Sequence, residues 1–296
     1  MALAIGVDIG GTKVAGGVVD DEGRVVAETR RPTPSDDSDA AIEAVVGVVH
    51  ELCASYDVTA VGIAAAGYVS ADRSTMLFAP NLPWENLPVR DLLQERIDLP
   101  VDVENDANCA AWAEHRYGAA RGEDCVVCLT VGTGIGAGIL VEGALYRGRF
   151  GIAGEPGHLG VVRDGIPCGC GNSGCLEQYA SGTALVRYAR ERGLSAEGPE
   201  ITAAAEAGDE RAVESFAEVG RWLGHALADI AAVLDPGMFV IGGGVADAGE
   251  LLLGPARETF RAMLPGHGHR PFADVRQAVL GNAAGLVGAA DLARTS

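Results

Sequence analysis

Two segments of this 296-residue chain are built to one design. Ile5 to Val19 (I-G-V-D-I-G-G-T-K-V-A-G-G-V-V) and Leu129 to Val141 (L-T-V-G-T-G-I-G-A-G-I-L-V) each run as an apolar strand, a tight Gly/Thr turn and a second apolar strand. A glycine turn puts no side chain in front of its backbone N–H groups, which suits a phosphate. Two similar halves, each offering such a turn, point to a nucleotide gripped between them. Two unrelated hairpins would leave the same local trace, because glycine-rich hairpin turns are common.

Around these segments, Val- and Ile-rich runs alternate with amphipathic helical patterns, which argues an α/β fold. The patterns predict strands over 3–9, 14–20, 24–32, 58–66 and 100–104, with helices over 39–55 and 88–95 and a loop containing N-L-P-W at 81–84. A second region follows, with a helix over 107–117, strands over 125–132 and 136–142, and helices over 182–193, 199–206 and 209–235. Strand 238–242, helix 248–264, strand 274–280 and helix 284–294 close it. The length accommodates two domains.

A net charge of −19 argues against nucleic acid or an anionic membrane surface as a partner. The uncharged run from Cys125 to Val141 is broken by glycines and threonines and falls short of the ~20 apolar residues of a span, so it reads as a buried hairpin. The N-terminus lacks the basic start and small-residue cleavage site of a signal peptide, and a cytoplasmic protein with reduced thiols is expected. Of the seven cysteines, Cys125 and Cys128 lie in an apolar strand and point to opposite faces, which suits a core role. Cys53 and Cys109 have no evident partner, and His50, His115, His225, His267 and His269 receive no role.

The chemistry concentrates elsewhere. Between Gly154 and Glu177 the chain reads G-E-P-G-H-L-G, then C-G-C-G-N-S-G-C-L-E. His158, Cys168, Cys170 and Cys175 supply the Cys₃His donor set of a closed, structural zinc site. Glu155 and Glu177 bracket the cluster and are better suited to a polar ligand beside it. In the first hairpin, Gly10 and Gly11 admit a phosphate, Thr12 adds a hydroxyl, and Asp8 is placed to hold Mg²⁺ directly or through water. Lys13 is the only lysine in the chain. No Walker A pattern is present. Gly132-Thr133-Gly134 repeats the turn chemistry. It opens a strand and not a helix, which excludes a dinucleotide fingerprint. Gly243 and Gly244 end an apolar strand and suit either an adenosine or a strand cap. Asn105 and Asp106 sit between a strand and a helix. There Asp106 suits either an N-cap or a base taking a proton from a polyol hydroxyl. Asn81, after Pro80, suits a turn.

Taken in order, D-I-G-G-T-K at 8–13, N-D-A-N at 105–108, G-T-G-I-G-A-G at 132–138, G-E-x-G-H at 154–158, C-G-C-G-N-x-G-C-L-E at 168–177 and the late G-G-G resemble the ROK family of sugar kinases over essentially the whole chain, and most closely its glucokinases of high-GC Gram-positive bacteria. The resemblance implies an actin-like ATPase (ribonuclease H-like) fold with two domains about a central cleft. These are a smaller N-terminal domain of 1–106 joined by the C-terminal helix 284–296, and a larger one of 107–283 carrying the zinc loop. It implies transfer of phosphate from Mg·ATP to the 6-hydroxyl of glucose, with Asp106 as catalytic base; the alternatives are a kinase for another hexose or N-acetylhexosamine (N-acetylmannosamine, fructose, mannose) or a non-catalytic sugar sensor. Asn81, Asn105, Asp106, Glu155, His158 and Glu177 would contact sugar. Asp8, Gly10, Gly11, Thr12, Lys13, Gly132, Thr133, Gly134, Gly243 and Gly244 would meet the nucleotide and its metal. It also implies a homodimer or homotetramer. Where the family often carries G-N-D-A-G, this chain has Gly281-Asn282-Ala283-Ala284-Gly285, a lost cap or interdomain contact.

Overall fold

The computed structural model describes residues 2–295. The chain opens with β1 (Leu3–Ile9), β2 (Lys13–Val19) and β3 (Val25–Pro32), continues through α1 (Ser38–Cys53) and β4 (Val58–Ala65), and then forms three very short strands, β5 (Tyr68–Val69), β6 (Met76–Phe78) and β7 (Glu85–Leu87). Helix α2 (Val89–Gln94), β8 (Val101–Asn105) and α3 (Asp106–Tyr117) follow. The second half contains β9 (Val126–Val131), β10 (Ile135–Val141), β11 (Ala144–Leu145), α4 (Glu177–Ala180), α5 (Gly182–Glu191), α6 (Gly198–Glu206) and α7 (Glu210–Leu234). It ends with β12 (Met238–Gly242), α8 (Glu250–Met263), β13 (Asp274–Gln277) and α9 (Ala284–Arg294).

The echo in the sequence is an echo in topology. The first large sheet runs β3-β2-β1-β4-β8 and the second β11-β10-β9-β12-β13. In each, the first two pairings are antiparallel and the last two parallel. The shared hairpin therefore sits at the same place in two copies of one arrangement. β1 is buried almost throughout, as a central strand covered on both faces should be, while β3 alternates along its length as a half-exposed strand. Helix α1 starts at Asp37, whose carboxylate accepts the Ala40 N–H, and turns its Ile42, Val45, Val49 and Leu52 stripe inward. The second core packs α7 and α8 onto β9 and β12, with Phe239 edge-on to Phe260 at 5.6 Å.

Helix α9, last in the chain, lies against β1 and β4 of the first sheet and against α3. The approach is so close that a Cβ on Gly62 would stand 1.9 Å from the Ala289 carbonyl oxygen, and one on Gly288 1.8 Å from that of Cys109. Its fully buried Asp291 accepts hydrogen bonds from Trp112 Nε1 (2.9 Å), Arg116 Nε (3.1 Å), Tyr117 Oη (2.5 Å) and Arg294 Nη2 (2.8 Å). Buried Glu114 likewise takes the backbone N–H groups of Ala119, Val279 and Leu280. A buried carboxylate persists only when it is paired in this way, and the two together fix the C-terminal half of α3. The N-terminus of α9 has Ala283 at the cap position with no side-chain bond, which is where the sequence departs from G-N-D-A-G.

Several expectations shift. The loop around N-L-P-W is the turn of a three-stranded sheet, β5-β6-β7, whose strands are too short to show a period. The final strand stops at Gln277, and α8 starts at Glu250 after a 3₁₀ turn over Ala246–Ala248. Cys128 is buried and Cys125 half-buried; burial pushes both thiols up, in keeping with a core role. No described helix is long and apolar enough to cross a membrane.

Candidate active site

A cleft of about 510 Å³ is lined by Asn105 and Asp106 from the β8–α3 junction, Gly132 and Gly134 from the β9–β10 turn, Glu155, His158 and Glu177 from the cysteine-rich segment, and Gly243 after β12. Residues far apart in the sequence thus face one space.

Asp106 is the first residue of α3, but it is not the cap. Asn105 takes that role, its Oδ1 accepting the Asn108 N–H at 3.0 Å and its Nδ2 donating to the Gly67 carbonyl at 3.0 Å. Asp106 accepts the Ala107 N–H at 2.9 Å. Burial raises its carboxyl above the ordinary range. Asp8, at the end of β1, is pushed up to about 6 by burial and then by the charge of Asp106, with Lys13 pulling it down. Glu155 is pushed up to about 7 by burial, then by Asp106 and Glu177. Such crowding of carboxylates is relieved by a cation, by hydroxyl donors or by a proton.

His158, Cys168, Cys170 and Cys175 bring one donor atom each to within 4.8 Å of one another. Cys168 Sγ is 3.7 Å from His158 Nδ1, and Cys170 Sγ is 3.6 Å from Cys175 Sγ. Zn–S bonds of ~2.3 Å give a tetrahedron edges near ~3.7 Å, so the donor set is compatible with zinc. The loop is braced by the bridges Gly160–Cys175 and Pro167–Ser173 and by Ile166 N–H donating to Tyr179 Oη at 2.9 Å. With Nδ1 turned to the thiols, the opposite nitrogen of the His158 ring is left for the cleft that this residue lines.

Both glycine turns are tied down from outside. Gly10 N–H donates to the Lys13 carbonyl at 3.0 Å, and Thr33 Oγ1 to the Gly10 carbonyl at 2.8 Å. At the second turn the Gly132 carbonyl accepts Gly182 N–H at 2.7 Å, and that of Thr133 accepts Thr183 Oγ1 at 2.8 Å, so the start of α5 anchors it. Gly243 has φ +85°, and a Cβ there would be 2.5 Å from the Val131 carbonyl oxygen. Gly244 faces open space. Asp8, Gly10, Gly11, Thr12, Lys13, Thr133 and Gly244 stand outside the cleft lining. Asn81 is also outside it: it is exposed, with its Cβ 3.2 Å from where a Cβ on Gly11 would lie. The β6–β7 turn therefore touches the first glycine turn.

Sequence reasoning missed Tyr68 and Phe78, which line the cleft from the small sheet with ring centroids 6.2 Å apart. It also missed Glu104 and Arg147, joined at 2.6 Å. Glu104 stood within E-N-D-A-N, whereas Arg147 carried no motif at all.

The ROK family profile matches residues 4–296. A glucokinase of Streptomyces coelicolor is 48% identical over 312 residues, covering 99% of this chain and 98% of its own. The crystal structure of a ROK family glucokinase from Streptomyces griseus in complex with glucose and AMPPNP is 51% identical, with a TM-score of 0.91 and 100% of both chains covered. That of a ROK hexokinase from Thermus thermophilus is 38% identical, with a TM-score of 0.85, covering 99% of this chain and 98% of its own. The duplicated sheet, the glycine turns and the Cys₃His loop beside Asp106 therefore have one explanation: this chain belongs to the ROK family, with the actin-like ATPase fold of its kinases.

Proposed function

We propose that this protein transfers the γ-phosphoryl group of Mg·ATP to the 6-hydroxyl of glucose, giving glucose 6-phosphate and ADP. The observation that carries the reading is Asp106, a half-buried carboxylate at the start of α3 that lines the cleft with Glu155, His158 and Glu177, in a chain 51% identical over its full length to a glucokinase solved with glucose and AMPPNP. A carboxylate raised by burial is a stronger base than an exposed one and accepts the hydroxyl proton as the oxygen attacks. Asn105, Glu155, His158 and Glu177 hold the remaining hydroxyls, with Asn81 at the margin through the β6–β7 turn. The turns Gly10–Lys13 and Gly132–Gly134 take the phosphates, and Gly243 and Gly244 the adenosine.

Phosphoryl transfer passes through a loose transition state, so alignment and charge neutralisation dominate over covalent chemistry. Magnesium with ATP would supply that neutralisation, with Asp8 at the end of β1 as the residue to orient it. Zinc at His158, Cys168, Cys170 and Cys175 is structural: the four residues hold the loop that presents Glu155 and Glu177, and ligation through Nδ1 would fix the direction of the His158 ring. The unit 1–106 with helix 284–296 and the unit 107–283 close on the substrates and exclude water. A cytoplasmic setting keeps the three cysteines of the metal loop reduced, as ligation requires, and a homodimer or homotetramer rests on the family resemblance.

An ADP-release assay with Mg·ATP against a panel of hexoses and N-acetylhexosamines tests the reading. Turnover highest on glucose supports it. Turnover confined to mannose, fructose or an N-acetylhexosamine replaces the substrate, and no turnover on any sugar that binds removes the kinase activity.

A further inference from the structure

Glu104 is 3% exposed and stands two residues before Asp106. Its two oxygens serve different partners. Oε1 accepts the Asn105 backbone N–H at 3.0 Å and Asn108 Nδ2 at 2.9 Å, while Oε2 accepts Arg147 Nε at 2.6 Å. Asn108 is buried, and its Oδ1 has no partner, so the bond to Glu104 is what orients this side chain. Arg147 arrives from the other half of the molecule, just after β11, on the segment that leads to Glu155; its carbonyl accepts the Ala153 N–H at 3.1 Å.

We propose that Arg147 is a positioning residue for the transfer reaction: through Glu104 it fixes the first turn of α3 and so the direction from which Asp106 meets the substrate hydroxyl. The physical need is plain. An ionised carboxylate at this depth requires a paired cation, and removing one partner of a buried pair leaves an uncompensated charge. Without Arg147, Glu104 loses its charged partner and turns toward water. That loosens its hold on Asn105 and Asn108, which flank Asp106. Asn105 is also the cap of α3, so the disturbance reaches the base through the backbone. The same contact ties the β11–Glu155 segment to the β8–α3 junction, so the two sides of the cleft share one ion pair.

This inference rests on Asp106 being the base, and the experiment separates the two. Variants Arg147→Met, Arg147→Lys and the double variant Glu104→Gln with Arg147→Met are assayed beside Asp106→Asn for kcat and for glucose affinity by calorimetry, with thermal melts to establish folding. Arg147→Met is expected to lose roughly 10- to 100-fold in kcat, the scale of a small misplacement of a reacting group, while glucose Kd moves less than about threefold. Arg147→Lys keeps the charge without the planar fork and falls between. The double variant is expected to recover most of the lost kcat, because the amide introduced by Glu104→Gln keeps an acceptor for Asn105 and Asn108 and leaves no buried charge. Wild-type kcat in folded Arg147→Met, or a double variant as slow as the single, overturns the proposal. If Arg147→Met does not fold, Arg147→Lys decides: a lowered kcat with kept affinity supports the proposal, and a wild-type kcat ends it. Full turnover in Asp106→Asn would instead remove the base assignment.

Discussion

Glu177 Oε2 accepts the backbone N–H of Ile135 at 3.2 Å. One carboxylate of the cysteine-rich segment thereby holds the residue that follows the Gly132–Gly134 turn, while its other oxygen lies 3.5 Å from Cys168 Sγ. The cysteine-rich loop and the second glycine turn are mechanically one piece. Gly134 is required for this contact, since a Cβ there would stand 2.3 Å from Glu177 Oε2.

Glu177→Ala is therefore expected to raise KM for ATP as well as for glucose, because it leaves the Ile135 N–H without its partner and frees the turn. Gly134→Ala should mimic it by displacing the carboxylate. Steady-state kinetics with each substrate varied at saturation of the other provides the check. An effect of Glu177→Ala on glucose KM alone would show that the bond to Ile135 carries no functional weight.

Asp106→Asn should lower kcat by about 10²–10⁴-fold or more, the usual contribution of a positioned base, with glucose binding largely retained in calorimetry. The pH profile follows from the sign of the shift. A base acts deprotonated, and burial raises the Asp106 carboxyl in the ligand-free protein, so kcat/KM should fall on acidification at a pH above the ~3.9 of an exposed aspartate. A kcat/KM that stays flat down to that value would separate the acid limb from Asp106.

How far the sequence could be read depended on the kind of signal. The two hairpins announced themselves because apolar strand, glycine turn and apolar strand is a local pattern, and the sheets are built around them in the same order. The Cys₃His set was equally plain, since four soft ligands at short spacing have few other uses. At the N-D-A-N segment the residue types left two roles for Asp106, and only the backbone showed that Asn105 makes the cap. Arg147 and Tyr68 could not be found from the chain, because their partners are brought to them by tertiary packing. Asn81, which the resemblance assigns to the sugar, stands on the β6–β7 turn beside Gly11, a neighbour that only the fold supplies.

Cys170 is the exposed member of the Cys₃His cluster, which makes Cys170→Ser the mildest way to weaken the proposed zinc site. The variant should purify with zinc well below one equivalent, melt several degrees lower and bind glucose more weakly, because His158, Glu155 and Glu177 lose their common support. Metal analysis, calorimetry and a thermal melt are read together. Full zinc occupancy with unchanged glucose affinity would show that three ligands suffice.

Asp8 gives a prediction of opposite character, in which a residue proposed to orient magnesium destabilises the fold. Its carboxyl is raised from an ordinary 3.8 to about 6, by burial first and by Asp106 second. A carboxyl raised on folding holds its proton more tightly in the native state, so it costs nothing below the unfolded value. The cost grows as pH rises through the window between 3.8 and about 6 and is complete above it. A rise of that size sets an upper bound of roughly 3 kcal/mol. Asp8→Asn without nucleotide should therefore melt above the wild type at pH 8, with the advantage shrinking to nothing near pH 4, and it should lose most of its turnover. Added Mg·ATP should reverse the order, since only the wild type gains the full binding free energy. A melting difference that is independent of pH would mean that Asp8 acts through packing and not through its charge.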